Sequence, residues 1–163
     1  MTDSEDELDA PAGDAVCSEF SLAVLPDDFS APDFHLSVLV ADDHPTHRRC
    51  AQAIFEALGC HVFLAVSGAA ALHACSLRRF DVVVMDRHMP DGHGDEAVRR
   101  LRRREGKVRR TFVACCSSDP PRDLSAGYDV LAPKPLTVAA AADLLRRVAA
   151  LAPPEPAPGE PRS

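Results

Sequence analysis

Apolar runs and helical stripes alternate along the middle of this chain. Residues 36–41 (Leu36-Ser37-Val38-Leu39-Val40-Ala41) form a short apolar run that ends in Asp42-Asp43. Across residues 46–58, Ala51, Ile54, Phe55 and Leu58 fall at i, i+3, i+4 and i+7, which is one face of a helix. Gly59 stands where a helix stop is expected. A second strand is predicted over 60–66, an Ala-rich helix over 68–77, and a third strand over 81–85. That third strand runs into Val82-Val83-Val84-Met85-Asp86-Arg87-His88-Met89-Pro90, an uninterrupted apolar stretch closed by one carboxylate and a turn. Such runs fit strands covered on both faces. A helix over 95–104 follows, with Ala97, Val98 and Leu101 inward, then a strand over 111–116. Residues 117–127 should hold a helix, but Pro120-Pro121 sits in its first turn, so it is expected to be short. A brief fifth strand over 130–132 precedes Pro133-Lys134-Pro135. A last helix covers 137–151, with Ala141, Leu144, Leu145, Val148 and Ala152 inward. Five βα units in series predict an α/β fold, a five-stranded parallel sheet with helices on both faces.

The ends are different. Residues 1–33 carry Asp3, Glu5, Asp6, Glu7, Asp9, Asp14 and Glu19, broken by Pro11, Pro26 and Pro32, and read as an acidic, disordered arm. Residues 153–163 are Pro-rich and read as an extended, disordered tail. The folded domain is therefore 34–152.

Composition narrows the function. A hydrophobic share of 46% supports a real core, and no apolar run approaches the ~20 residues of a membrane helix. The N-terminus lacks a secretory pattern, so a cytoplasmic protein is expected. The six cysteines match neither a zinc site nor a disulfide framework and read as small buried hydrophobes in a reducing compartment. A net charge of -7 disfavours nucleic-acid binding. The dense run Arg99, Arg100, Arg102, Arg103, Arg104, Lys107, Arg109 and Arg110 has no interleaved aromatics and reads as a solvated helix end.

Three strand ends carry charge: Asp42-Asp43, Asp86 and Lys134. In a doubly wound sheet the first, third and fifth strand ends lie together at the switch point. Carboxylates meeting there suit Mg²⁺, a hard cation that keeps some waters and bridges to phosphate oxygens. Lys134 would neutralise a second phosphoryl oxygen. Asp86 so placed can attack a phosphoryl donor and become an aspartyl phosphate. His44 and His47, as metal ligands with Asp42, would instead suggest a phosphohydrolase, but such a pair at a helix start reads as exposed. His88 reads equally as a tuner of phosphoryl lifetime or a solvated loop residue.

These stretches resemble the receiver domain of two-component response regulators: Val38-Leu39-Val40-Ala41-Asp42-Asp43-His44-Pro45, the Asp86 segment with Gly94, and Ala132-Pro133-Lys134-Pro135. The resemblance covers residues 36–151. It implies a flavodoxin-like (βα)5 topology of strand order 2-1-3-4-5. It implies Asp86 as phosphoacceptor, with Asp43, Asp86 and the His88 backbone carbonyl binding Mg²⁺, Asp42 holding the metal through water, and Lys134 contacting the phosphoryl group before a cis Pro135. The donor would be a histidine on a sensor histidine kinase or a histidine phosphotransfer protein. Two positions depart from the family. Its usual Thr or Ser at the end of the fourth strand falls on Cys116 or Ser117, and its usual aromatic on the fifth strand falls near Leu131, with Tyr128 three residues early. A stand-alone phosphoacceptor is expected, with self-catalysed phosphoryl transfer and autodephosphorylation as its only chemistry. It would be monomeric because the face formed by the fourth helix is damaged, and it would act on a downstream protein or as a phosphate shuttle. The alternative is a receiver-fold adaptor that works without phosphorylation.

Overall fold

The computed structural model describes residues 34–90, 92–107 and 111–151. The arm and tail expectations lie outside these residues. In chain order the elements are β1 (Ser37–Ala41), α1 (Pro45–Ala57), β2 (His61–Ala65), α2 (Gly68–Leu77), β3 (Val82–Asp86), a two-residue ribbon of β4 (His88–Met89) and β5 (Gly92–His93), α3 (Gly94–Glu105), β6 (Phe112–Cys116), β7 (Val130–Ala132) and α4 (Val138–Leu151).

Five strands form one parallel sheet in the order β2-β1-β3-β6-β7, which is 2-1-3-4-5 when only its own strands are counted. The registers Ala41↔Met85 and Asp86↔Cys116 align the C-terminal ends of β1, β3 and β6. Alternation along the strands separates two cores. Val38, Val40, Val82 and Val84 meet Ile54, Phe55, Leu144 and Leu145 of α1 and α4. Leu39, Val83, Met85 and Val113 meet Leu72, Val98 and Leu101 of α2 and α3. Both faces of β1 and β3 are therefore covered, and this is why those strands read as continuous apolar runs rather than alternating ones.

Local chemistry sets the element ends. Ser67 accepts a hydrogen bond from the Ala70 amide at 3.1 Å and caps α2, and Thr137 does the same for Ala140 at 3.1 Å before α4. Gly59 leaves α1 with φ +79°, and the Cys60 amide returns to the Phe55 carbonyl at 3.0 Å. The predicted inner faces of α1, α3 and α4 are buried as expected, apart from Ala152, which lies outside the described residues.

Two expectations change. The segment 117–129 contains no helix at all, so the expected shortening runs to completion, in keeping with Pro120-Pro121 at its start. Four helices, not five, are present among the described residues. Cys60, Cys115 and Cys116 are free and buried, but Cys50 is disulfide-bonded, contrary to the reading of unbridged thiols.

Candidate functional site

The site lies at the C-terminal edge of the central strands. β1 delivers Asp42, β3 delivers Asp86, and the turn after β7 delivers Lys134. Asp42 and Asp86 are 6% and 4% exposed, while Asp43 faces solvent. Each of the three offers a carboxylate oxygen within 4.8 Å of the others. The Lys134 ammonium donates to Asp86 Oδ2 at 2.8 Å and lies 2.9 Å from Asp42 Oδ2. Burial would lower the Lys134 pKa, but its bonds to Asp86 and Asp42 outweigh burial and raise it, so the side chain stays charged.

The remaining carboxylate oxygens are held by backbone. The His44 amide donates to Asp42 Oδ1 at 2.8 Å, and the His88 amide to Asp86 Oδ1 at 3.2 Å. The second bond closes a tight turn from Asp86 to His88. Three carboxylates face one ammonium, an excess of negative charge with only hard oxygen donors. That donor set fits Mg²⁺ and suits no soft metal.

His44 and His47 stack at 4.5 Å between ring centroids and are exposed; His47 Nδ1 lies 3.5 Å from Asp42 Oδ2. Neither belongs to the converging trio, which does not favour the phosphohydrolase arrangement. The exposed His88 imidazole sits 3.6 Å from Asp119 Oδ2. Cys116, paired with Asp86 in register, lines the same cavity as Asp86 and Lys134. Its thiol donates to the Pro133 carbonyl at 3.3 Å, and burial pushes its pKa up to about 12. The Ser117 hydroxyl is turned away, donating to the Asp119 carbonyl and accepting from the Asp119 amide, both at 3.2 Å. Of the two candidates, Cys116 is therefore the one at the site. Leu131 is 41% exposed and Tyr128 is buried.

Gly94 has a function that its place in the sequence pattern did not explain. A Cβ there would run into the Asp86 carbonyl and come within 2.9 Å of Met85 Cγ. The absence of a side chain lets α3 start directly against the end of β3. Gly94→Ala is expected to cost roughly 1–3 kcal/mol of folding stability through overpacking against the end of β3, measured as the urea midpoint alongside wild type.

A parallel sheet of order 2-1-3-4-5 with acidic β1 and β3 ends and a lysine after the last strand defines a receiver-type fold. Residues 38–146 match the response regulator receiver domain, and this chain belongs to that family. It is 36% identical over 140 residues to the virulence sensor protein BvgS of Bordetella bronchiseptica, covering 78% of this chain and 11% of that protein. Among solved structures, the receiver domain of Francisella response regulator 1452 aligns with 28% identity and a TM-score of 0.60, over 71% of this chain and 95% of that one. The fold is shared with the receiver domain of sensor histidine kinase PA1611 from Pseudomonas aeruginosa, which holds a magnesium ion in its cleft. That alignment has 24% identity and a TM-score of 0.63, over 69% of this chain and 95% of that one. The chain spans about a tenth of the length of the curated relatives it matches first. Among the described residues no helix is long and apolar enough to cross a membrane.

Proposed function

We propose that this receiver domain takes a phosphoryl group onto Asp86 from a phosphohistidine of a sensor histidine kinase or a histidine phosphotransfer protein. The observation that carries this reading is the Lys134 ammonium held between Asp42 and Asp86 inside the carboxylate trio. An Asp86 carboxylate oxygen forms the new O–P bond as the donor N–P bond breaks, and the electron pair returns to the imidazole. Lys134 offsets charge on the phosphoryl oxygens during transfer. Asp43, Asp86 and the His88 carbonyl would hold Mg²⁺, with Asp42 reaching it through water. When bound, Mg²⁺ supplies charge neutralisation at the phosphoryl oxygens.

The protein acts in the cytoplasm as a monomeric phosphoacceptor and signals by protein contact or phosphate shuttling, with no catalysis beyond its own modification and its reversal. Incubation with acetyl phosphate and Mg²⁺, read by intact mass, tests the assignment. The expected result is a gain of one phosphoryl group that is absent in Asp86→Asn. Mg²⁺ binding without labelling would favour the phosphorylation-independent adaptor, a reading supported by Cys116 and the exposed Leu131 at the departing positions.

A further inference from the structure

Arg87 follows Asp86 directly, inside the turn closed by the His88 amide on Asp86 Oδ1. Its side chain leaves on the α3 face of the sheet. There Arg87 Nε donates to Asp95 Oδ2 at 3.3 Å. Arg87 Nη1 donates to the Asp119 carbonyl at 3.1 Å and lies 3.8 Å from Asp119 Oδ2. The other oxygen of Asp95 accepts the Tyr128 hydroxyl at 2.8 Å. Tyr128 is only 3% exposed, and burial followed by its bond to Asp95 raises its pKa, so the phenol remains a donor. Asp119 and Tyr128 lie near the two ends of the segment 117–129 that runs without a helix between β6 and β7. One end is fastened to Arg87 directly, and the other to Asp95 through Tyr128 and, independently of Arg87, to Arg102, whose Nε donates to the Gly127 carbonyl at 2.9 Å.

We propose that Arg87 is a positioning residue that couples the state of Asp86 to this segment, holding it closed when Asp86 is free and releasing it when Asp86 is phosphorylated. This rests on Asp86 being the phosphoacceptor. Two physical effects drive the release. Conversion of the carboxylate to an acyl phosphate changes the acceptor that closes the 86–88 turn, and Arg87 moves with that turn. The phosphoryl group also brings three strong acceptor oxygens and roughly two negative charges, and a planar guanidinium fork suits phosphoryl oxygens better than a single backbone carbonyl does. Arg87 then exchanges Asp119 for the phosphoryl group. The alternative route through the fourth and fifth strands is poorly equipped: the Cys116 thiol is committed to the Pro133 carbonyl, and Leu131 already faces solvent.

Amide hydrogen exchange on the full chain, with intact mass recorded on the same samples, tests this. In wild type treated with acetyl phosphate and Mg²⁺, the phosphoryl mass gain is expected to accompany at least a tenfold faster exchange at the Asp119 amide, while Gly127, whose carbonyl Arg102 holds, stays slow. The Asp119 amide is held by Ser117 Oγ in the closed state. Arg87→Gln is expected to exchange at the released rate before any treatment, to take up the phosphoryl group, and to show no further change. Protected β1 and β3 amides would confirm that it is folded. Tyr128→Phe, which removes the hydroxyl that donates to Asp95 and leaves the Arg87 contacts with Asp119 in place, is expected to leave Asp119 slow. No mass gain in wild type overturns the phosphoacceptor reading and this inference with it. Mass gain with unchanged exchange, or Arg87→Gln as protected as wild type, overturns this inference alone.

Discussion

Lys134→Met is expected to slow phosphoryl uptake at Asp86 by about 10²- to 10³-fold, the usual effect of removing one preorganised donor from a transferring group. The side chain matches in shape but carries no charge, so the loss reports the ammonium rather than packing. The same substitution leaves buried Asp42 and Asp86 facing each other without the cation that bridges them at 2.9 and 2.8 Å. A lower melting temperature in metal-free buffer follows, and millimolar Mg²⁺ should recover more stability in the variant than in wild type, because a divalent ion bound only by the folded state replaces the missing charge. The pH dependence has a definite sign. The Lys134 pKa is raised above its ordinary 10.5, so its contribution is complete below 10.5 and is lost as pH rises through the higher folded value. The stability gap between wild type and Lys134→Met should therefore stay flat through neutral pH and close only on the alkaline side. Labelling of Lys134→Met at the wild-type rate would remove the main support for the proposed chemistry.

The charged ends of the strands were legible because the sheet is covered on both faces. A strand buried on two sides must be apolar throughout, so Asp42, Asp86 and Lys134 stand out at the first positions where charge is tolerated. What joins them through space is short: Lys134 reaches both carboxylates from one turn. The 117–129 segment was legible only as a defect. Pro120-Pro121 argued against a helix, but nothing local announced what would replace it. Its anchors include Arg87 to Asp119 and Tyr128 to Asp95, contacts spanning 32 and 33 residues. Pairings at that separation leave no periodic trace, and Tyr128 could be seen only as an aromatic out of register with the fifth strand. The ambiguity between Cys116 and Ser117 had a similar origin. Adjacent residues point to opposite sides, and only the strand register opposite Asp86 decides between them.

In the Arg-rich run, density of charge concealed Arg102, which is unlike the exposed arginines beside it. Arg99, Arg100 and Arg103 lie on the exposed side of α3, within 3.9, 3.1 and 3.4 Å of the single carboxylate of Glu96. Arg102 points inward and is 14% exposed. Its Nε donates to the Gly127 carbonyl at 2.9 Å, Nη1 to Glu105 Oε2 and the Thr111 carbonyl at 2.7 Å each, and Nη2 to Asp129 Oδ2 at 2.7 Å. Those acceptors are themselves tied to backbone, Glu105 to the Thr111 amide at 2.6 Å and Asp129 to the Val113 amide at 2.9 Å. Gly127, at φ +111°, is shaped for the contact, since a Cβ there would come within 2.7 Å of Arg102 Cγ. One guanidinium thus binds the end of α3 to the start of β6 and to the chain entering β7.

Arg102→Met should cost about 3–5 kcal/mol of folding stability, because it leaves two partly buried carboxylates and two carbonyls without their common donor. Arg102→Lys should recover little, since an ammonium cannot span the fork. Arg100→Met, on the exposed side, should unfold at nearly the wild-type urea midpoint. Burial tends to raise the Glu105 pKa, but its bonds to Thr111 and Arg102 prevail and lower it. A depressed carboxylate contributes stability above its unfolded value of 4.5 and loses it as pH falls through the lower folded value. The deficit of Arg102→Met should therefore be largest near neutrality and shrink in acid. Equal urea midpoints for the Arg102→Met and Arg100→Met variants would mean that the run is a solvated helix end after all.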